Sequence, residues 1–144
     1  MDTPLLSGLV KVRGRTLALI AHDNKKVDLV AWATFNRDTL ARFRLTATRH
    51  TARLLREKVG LTVEDLLSGA EGGDAQIAAL VATASVDAVF FFVDPLTALP
   101  HDPDVRALLR VRNVHNVPLA TNLSTADLII AGLSRPSDVA PPAR

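Results

Sequence analysis

Apolar positions along this chain change period several times, and the changes mark out alternating strands and helices. Residues 15–21, Arg15-Thr16-Leu17-Ala18-Leu19-Ile20-Ala21, carry a continuous apolar run from Leu17 that stops at His22-Asp23, the pattern of a strand buried on both faces of a parallel sheet. From Lys25 the spacing turns helical: Val27, Val30, Ala31 and Phe35 mark one face through to about Phe43, with Asp23 or Asn24 as the cap. Residues 44–48 read as a second strand. Residues 51–59 read as a helix with Leu54, Leu55 and Val59 inward and Gly60 as its stop. A short third strand is expected over 63–67. It runs into Ser68-Gly69-Ala70-Glu71-Gly72-Gly73, small and glycine-rich, and then Asp74. Ile77, Leu80, Val81 and Ala84 follow at helical spacing, which predicts Asp74 as a helix N-cap. Residues 86–93 carry the strongest strand pattern and end at Asp94-Pro95. Pro100-His101-Asp102-Pro103-Asp104 reads as a rigid loop, after which Val105, Leu108 and Leu109 face one side of a helix ending near His115. Residues 117–122 give a last strand, and Ser124 is expected to cap a final helix to about Leu133.

Strands alternating with helices of this length predict a parallel sheet covered on both faces. We therefore expect an α/β protein: a single three-layer αβα doubly wound domain with a five-stranded parallel sheet over residues 15–133. An N-terminal arm (1–14) and a flexible C-terminal tail (134–144) flank it. A chain of 144 residues, 48% hydrophobic, is enough for one substantial core. It has no cysteine, which excludes disulfides and thiolate zinc sites. The longest apolar run, residues 88–93, is too short to span a bilayer, and the first residues lack the order of a signal peptide, so no membrane role and a cytoplasmic location are expected. A net charge of +2 with scattered basic residues and few aromatics argues against nucleic acid as a partner.

Ligands of such sheets bind at the carboxyl ends of the strands. After the first strand come His22, Asp23 and Lys26; after the second, Thr48, Arg49, His50 and Thr51; after the third, Ser68, Gly69 and Asp74. Asp94 follows the fourth, with His101 and Asp104 in the loop beyond. Polar and ionisable groups thus converge on one edge of an apolar sheet. Hydroxyls, backbone N–H groups and Lys26 suit a phosphate, while a carboxylate beside imidazoles suits removal of a proton from carbon next to a carbonyl. No nucleotide-type glycine loop or serine elbow is present, and the histidines lack the close spacing of metal ligands.

Several of these segments are familiar together. Ile20-Ala21-His22-Asp23, Leu67-Ser68-Gly69, Gly72-Gly73-Asp74-x-Gln76, Asp94-Pro95-Leu96, Pro100-His101-Asp102-Pro103-Asp104-Val105 and Pro118-Leu119-Ala120-Thr121-Asn122 resemble methylglyoxal synthase. The resemblance implies a lyase that turns dihydroxyacetone phosphate into methylglyoxal and inorganic phosphate without metal or organic cofactor. It also implies a homohexamer, inhibited by phosphate in some members. Matched by position, Asp74 is the family's base, His101 the histidine near the substrate oxygens and Asp104 a supporting carboxylate. His22, Lys26, Ser68 and Gly69 match substrate-binding positions, and Asp23 and Asp94 support them.

One segment departs from that pattern. The family's phosphate loop usually reads Thr-Gly-Thr-Thr-Gly, whereas this chain has Thr48-Arg49-His50-Thr51-Ala52, and Ala70-Glu71 replaces the usual Pro and apolar residue. A left-handed backbone at Arg49 would be strained, while the imidazole of His50 or the guanidinium of Arg49 can stand in for a lost hydroxyl donor. The alternative reading is a non-catalytic regulatory domain of the same fold, binding a small phosphorylated or anionic ligand, like the domain at the end of carbamoyl-phosphate synthetase.

Overall fold

The segment predicted as the first strand forms β1 (Thr16–Ala21), and its apolar residues Leu17 to Ala21 are buried alternately on two faces because none of them is polar enough to face water. The computed structural model of the chain describes residues 15–97 and 102–134, so the expected arm and all but Ser134 of the expected tail lie outside the described residues. The remaining strands are β2 (Arg44–Thr48), β3 (Glu64–Leu66), β4 (Ala88–Phe92) and β5 (Leu119–Ala120). All pair in parallel, in the order β3-β2-β1-β4-β5. The helices are α1 (Lys26–Phe35), α2 (Arg37–Leu40), α3 (Arg49–Leu54), α4 (Gly73–Ala82), α5 (Asp102–Val114) and α6 (Leu123–Ser134).

Two cores lie on opposite sides of the sheet. Leu17, Leu19 and Ala21 of β1 pack with Leu29 and Trp32 of α1, Ala52 of α3 and Ile130 of α6. Ala18 and Ile20 pack instead with Ile77 and Val81 of α4 and Leu108 of α5. The alternation of one strand thus divides the helices into two layers, and the three-layer, doubly wound architecture is as expected.

Local details differ from the sequence pattern for identifiable reasons. The single helix expected over 25–43 breaks at Asn36, whose side-chain amide and backbone N–H both donate to the Trp32 carbonyl. Its buried face is Leu29, Trp32 and Ala33, which leaves Val27 and Phe35 exposed. Trp32 sets this rotation: its ring packs on Phe90 and Phe92, and its N–H donates to Asp127 of α6 at 3.0 Å. The helix expected from Thr51 starts at Arg49. It widens into a π turn over Leu55–Val59 before Gly60 stops it with φ +81°. Asp102, Pro103 and Asp104 are not loop but the first turn of α5, where a proline loses no helical hydrogen bond. Asn122, rather than Ser124, caps α6, its side-chain oxygen accepting the Thr125 N–H at 2.9 Å.

Candidate active site

The sheet order reverses at β1, which has β2 on one side and β4 on the other, and such a reversal opens a crevice at the strands' carboxyl ends. A cavity of about 460 Å³ lies there, lined by His22, Asp23 and Lys26 after β1 and by Thr48 and His50 after β2. Ser68, Gly69 and Asp74 line it after β3, and Asp94 after β4. Nine of the sequence-predicted residues therefore share one small-molecule-sized space.

Asp74 reaches the cavity because two glycines bend the chain sharply before α4. Gly72 has φ +111°, a conformation open to glycine. At Gly73 a Cβ would sit 2.1 Å from the Leu67 carbonyl oxygen and 2.8 Å from the Thr48 methyl, so only glycine allows the helix start to press against the strand ends. The Gly73 N–H donates to the Ser68 carbonyl at 2.8 Å, and the Gln76 side chain accepts the Leu67 N–H at 2.7 Å. These bonds place Asp74 as the second residue of α4, with Gly72 and not Asp74 in the capping position. The carboxylate is wholly buried, and the positive end of the α4 dipole favours its charge.

His22 is fixed by its neighbours. Its Nδ1 accepts the Asp94 backbone N–H at 2.8 Å, and its ring stands edge-on to Phe91. An Nδ1 used as acceptor carries no proton, so the ring is neutral with its proton on Nε2. Asp94 in turn accepts from the Thr97 hydroxyl at 2.7 Å, the Leu96 N–H at 3.0 Å and the Asn24 amide at 2.8 Å. These donors, the Thr97 hydroxyl foremost, hold its carboxyl below the usual carboxylate range. Lys26 donates to the Ala21 carbonyl at 2.7 Å and to Asp23 at 3.1 Å, which uses two of the three ammonium N–H groups and holds the charge at the cavity wall. The Lys26 hydrogen bond, and then its charge, hold the Asp23 carboxyl low.

On the β2 side, Thr48 lines the cavity and its hydroxyl donates to that of Thr51 at 3.4 Å. Thr51 is wholly buried and is not among the lining residues; it backs Thr48. His50 lines the opening. Arg49 does not, turning instead to Glu71 at 2.8 Å. Arg49 is not left-handed and so carries none of the strain that such a backbone would impose: it opens α3, and among the described residues the non-glycine positions with positive φ are Ala84 and Asn116. Asp104 sits partly buried in the first turn of α5 and is not among the described lining residues, while His101 lies outside the described residues. The structure adds Ile20, Ala21, Asn24, Ala70 and Thr97 to the lining. Of these, Thr97 had a signal in the sequence, since an aspartate followed three residues on by a hydroxyl makes a local turn.

The arrangement offers a carboxylate base on one wall, with an ammonium, a neutral imidazole and hydroxyls on the others. Among the described residues no three His, Asp or Glu side chains come together as a metal site, and no helix is long and apolar enough to cross a membrane. A family model of the MGS-like domain matches residues 28–121. The chain is 53% identical to the methylglyoxal synthase of Carboxydothermus hydrogenoformans over 118 residues, 82% of this chain and 98% of that protein. It is 54% identical to the methylglyoxal synthase of Thermus thermophilus over 121 residues, 84% of this chain and 96% of that one. A solved methylglyoxal synthase from Elizabethkingia anophelis superposes with a TM-score of 0.76 at 43% identity, covering 81% of this chain and 77% of its own.

Proposed function

The chain belongs to the methylglyoxal synthase family, and from that premise we propose that it converts dihydroxyacetone phosphate to methylglyoxal and inorganic phosphate. The observation that carries the reading is Asp74, a fully buried carboxylate in the wall of a cavity otherwise furnished for an anion. In this reading the phosphate group sits among Lys26, Thr48, His50 and the Ser68-Gly69 backbone. Asp74 takes a proton from the hydroxymethyl carbon, and the electron pair left behind forms an enediolate across the carbonyl. The Nε2 proton of His22 is suited to hold an enediolate oxygen, with His101 and Asp104 managing protons by the family's pattern.

Elimination follows from the enediolate. Its electrons form a new carbon–carbon double bond as the carbon–oxygen bond to phosphate breaks, which requires that bond to stand out of the enediolate plane. Inorganic phosphate leaves, and the enol product tautomerises to methylglyoxal. By the same resemblance the protein works in the cytoplasm as a homohexamer, with residues 15–133 as its catalytic domain and no metal or organic cofactor. Assembly has support in the apolar side chains left uncovered on α1 and α6: Val27, Phe35 and Leu128 are 80%, 89% and 76% exposed.

A purely anion-binding domain has no use for Asp74, because a buried carboxylate repels a bound phosphate. The test is to incubate the protein with dihydroxyacetone phosphate and to measure methylglyoxal and phosphate together, beside Asp74→Asn. We expect release of both products from the unaltered protein and a loss of roughly 10²–10⁴-fold or more in the variant. Equal turnover by the two proteins would remove Asp74 as the base, and turnover by neither would sink the enzyme reading.

A further inference from the structure

Two loops hold the anion-binding groups of the cavity, and one ion pair joins them. Arg49 and Glu71 are 22 residues apart, the first opening α3 and the second ending the 3-10 turn Gly69–Glu71. Glu71 Oε1 accepts from Arg49 Nη1 at 2.8 Å and from the Ser68 hydroxyl at 2.9 Å. The residues on either side of Arg49, Thr48 and His50, line the cavity, as do Ser68 and Gly69 on the opposite loop, whereas Arg49 and Glu71 themselves do not. The pair therefore lies outside the lining and ties together the two loops that carry it. Both positions lie in the two segments where the chain leaves the family's usual pattern, Arg49-His50 with Ala52 and Ala70-Glu71, and in the fold those segments meet in this contact.

We propose that Arg49 and Glu71 form a clasp that sets the spacing between the Thr48–Thr51 and Ser68–Gly69 segments, so that both reach one phosphate group. Arg49 is thus a positioning residue and not a ligand. The inference rests on the reading of the cavity as the seat of a triose phosphate. The Arg49 and Glu71 side chains are 41% and 55% exposed, so the pair contributes little to folding. Its effect falls on geometry: an anion held from two independent loops loses affinity when either shifts. Ser68 shares the same carboxylate oxygen, so removal of Glu71 releases both Arg49 and the hydroxyl nearest Gly69. The Ser68 hydroxyl, and after it the Arg49 charge, hold the Glu71 carboxyl below its usual range and keep it ionised.

The test compares Glu71→Ala, Arg49→Ala and the charge-swapped pair Arg49→Glu/Glu71→Arg in the full chain. The dissociation constant of inorganic phosphate is read by calorimetry, and KM and kcat for dihydroxyacetone phosphate are measured beside it. Each single variant is expected to weaken phosphate binding and raise KM roughly fivefold, with kcat within about twofold and a melting temperature within a few degrees. The swapped pair is expected to recover most of the phosphate affinity. Unchanged affinity in the single variants, or no recovery on swapping, overturns the clasp. Tighter phosphate binding in Glu71→Ala also overturns it, since Arg49 would then be a ligand held away from the seat. Equal losses in kcat and melting temperature would reduce the pair to a structural one. Phosphate binding without turnover by the unaltered protein would remove the enzyme reading and leave the clasp to be decided by the dissociation constants. No phosphate binding at all would remove the clasp.

Discussion

At Gly73 the chain has no room for a side chain, and the consequence reaches the chemistry. The contacts that would meet a Cβ there are the Leu67 carbonyl and the Thr48 methyl, one from each of the strand ends that flank the base. Gly73→Ala forces α4 away from those ends and carries Asp74 with it. We expect a cost of about 1–3 kcal/mol from overpacking. The larger effect is on turnover, since a shift on the order of 1 Å in a reacting group costs roughly 10²-fold. Gly132 offers the control. A Cβ at that position in α6 meets nothing within 4 Å, so Gly132→Ala is expected to stabilise by about 0.4–1 kcal/mol and to leave turnover unchanged. Urea unfolding and product release measured on both variants check the pair. Loss of stability without loss of turnover in Gly73→Ala would mean that Asp74 does not depend on the close approach.

At the scale of elements, α6 tests which residue starts a helix. Asn122 accepts the Thr125 N–H, so Asn122→Ala is expected to cost about 1 kcal/mol, while Ser124→Ala, inside the first turn, changes stability little. The reverse order would restore Ser124 as the cap. The reason this choice was not legible is general: Asn122, Ser124 and Thr125 are all acceptable caps by type, and only the backbone decides among them. The strands were legible because β1 and β4 are apolar on both faces, a pattern that a surface helix does not give. The buried face of α1 was not, because Val27, Val30 and Phe35 compete at helical spacing with Leu29, Trp32 and Ala33. The contest is settled by Trp32 meeting β4 and Asp127. The site shows the same division. His22, Lys26, Thr48, Ser68 and Asp74 fall together because strand ends fall together. The direction of Arg49 depends on a carboxylate 22 residues further on, which no local spacing reveals.

At the scale of the whole molecule, four acidic groups among the described residues are held below their usual range. Asp23, Asp65, Glu71 and Asp94 are each held low, Asp23 chiefly by Lys26, Asp65 by Arg56, Glu71 by Ser68 and Asp94 by Thr97. A carboxyl held low in the fold binds its proton more weakly there than in the unfolded chain. Its contribution is therefore fully present above the ordinary carboxylate value and is lost as pH falls through that value toward the lowered one. The exposed pairs of Asp23, Asp65 and Glu71 are screened by solvent and contribute little. Asp94 differs: it is buried, its partners are neutral donors, and its backbone N–H sets the tautomer of His22. Urea midpoints are thus expected to stay level near neutrality and to fall as the solution is acidified, with a shallower fall in Asp94→Asn, which has no proton to take up. The same variant keeps the backbone N–H that fixes His22, so its effect on turnover should track loss of the Asn24, Leu96 and Thr97 contacts rather than a change in the imidazole. A midpoint that rises on acidification, or an acid limb identical in Asp94→Asn, would show that the protons which loosen the fold are taken up elsewhere.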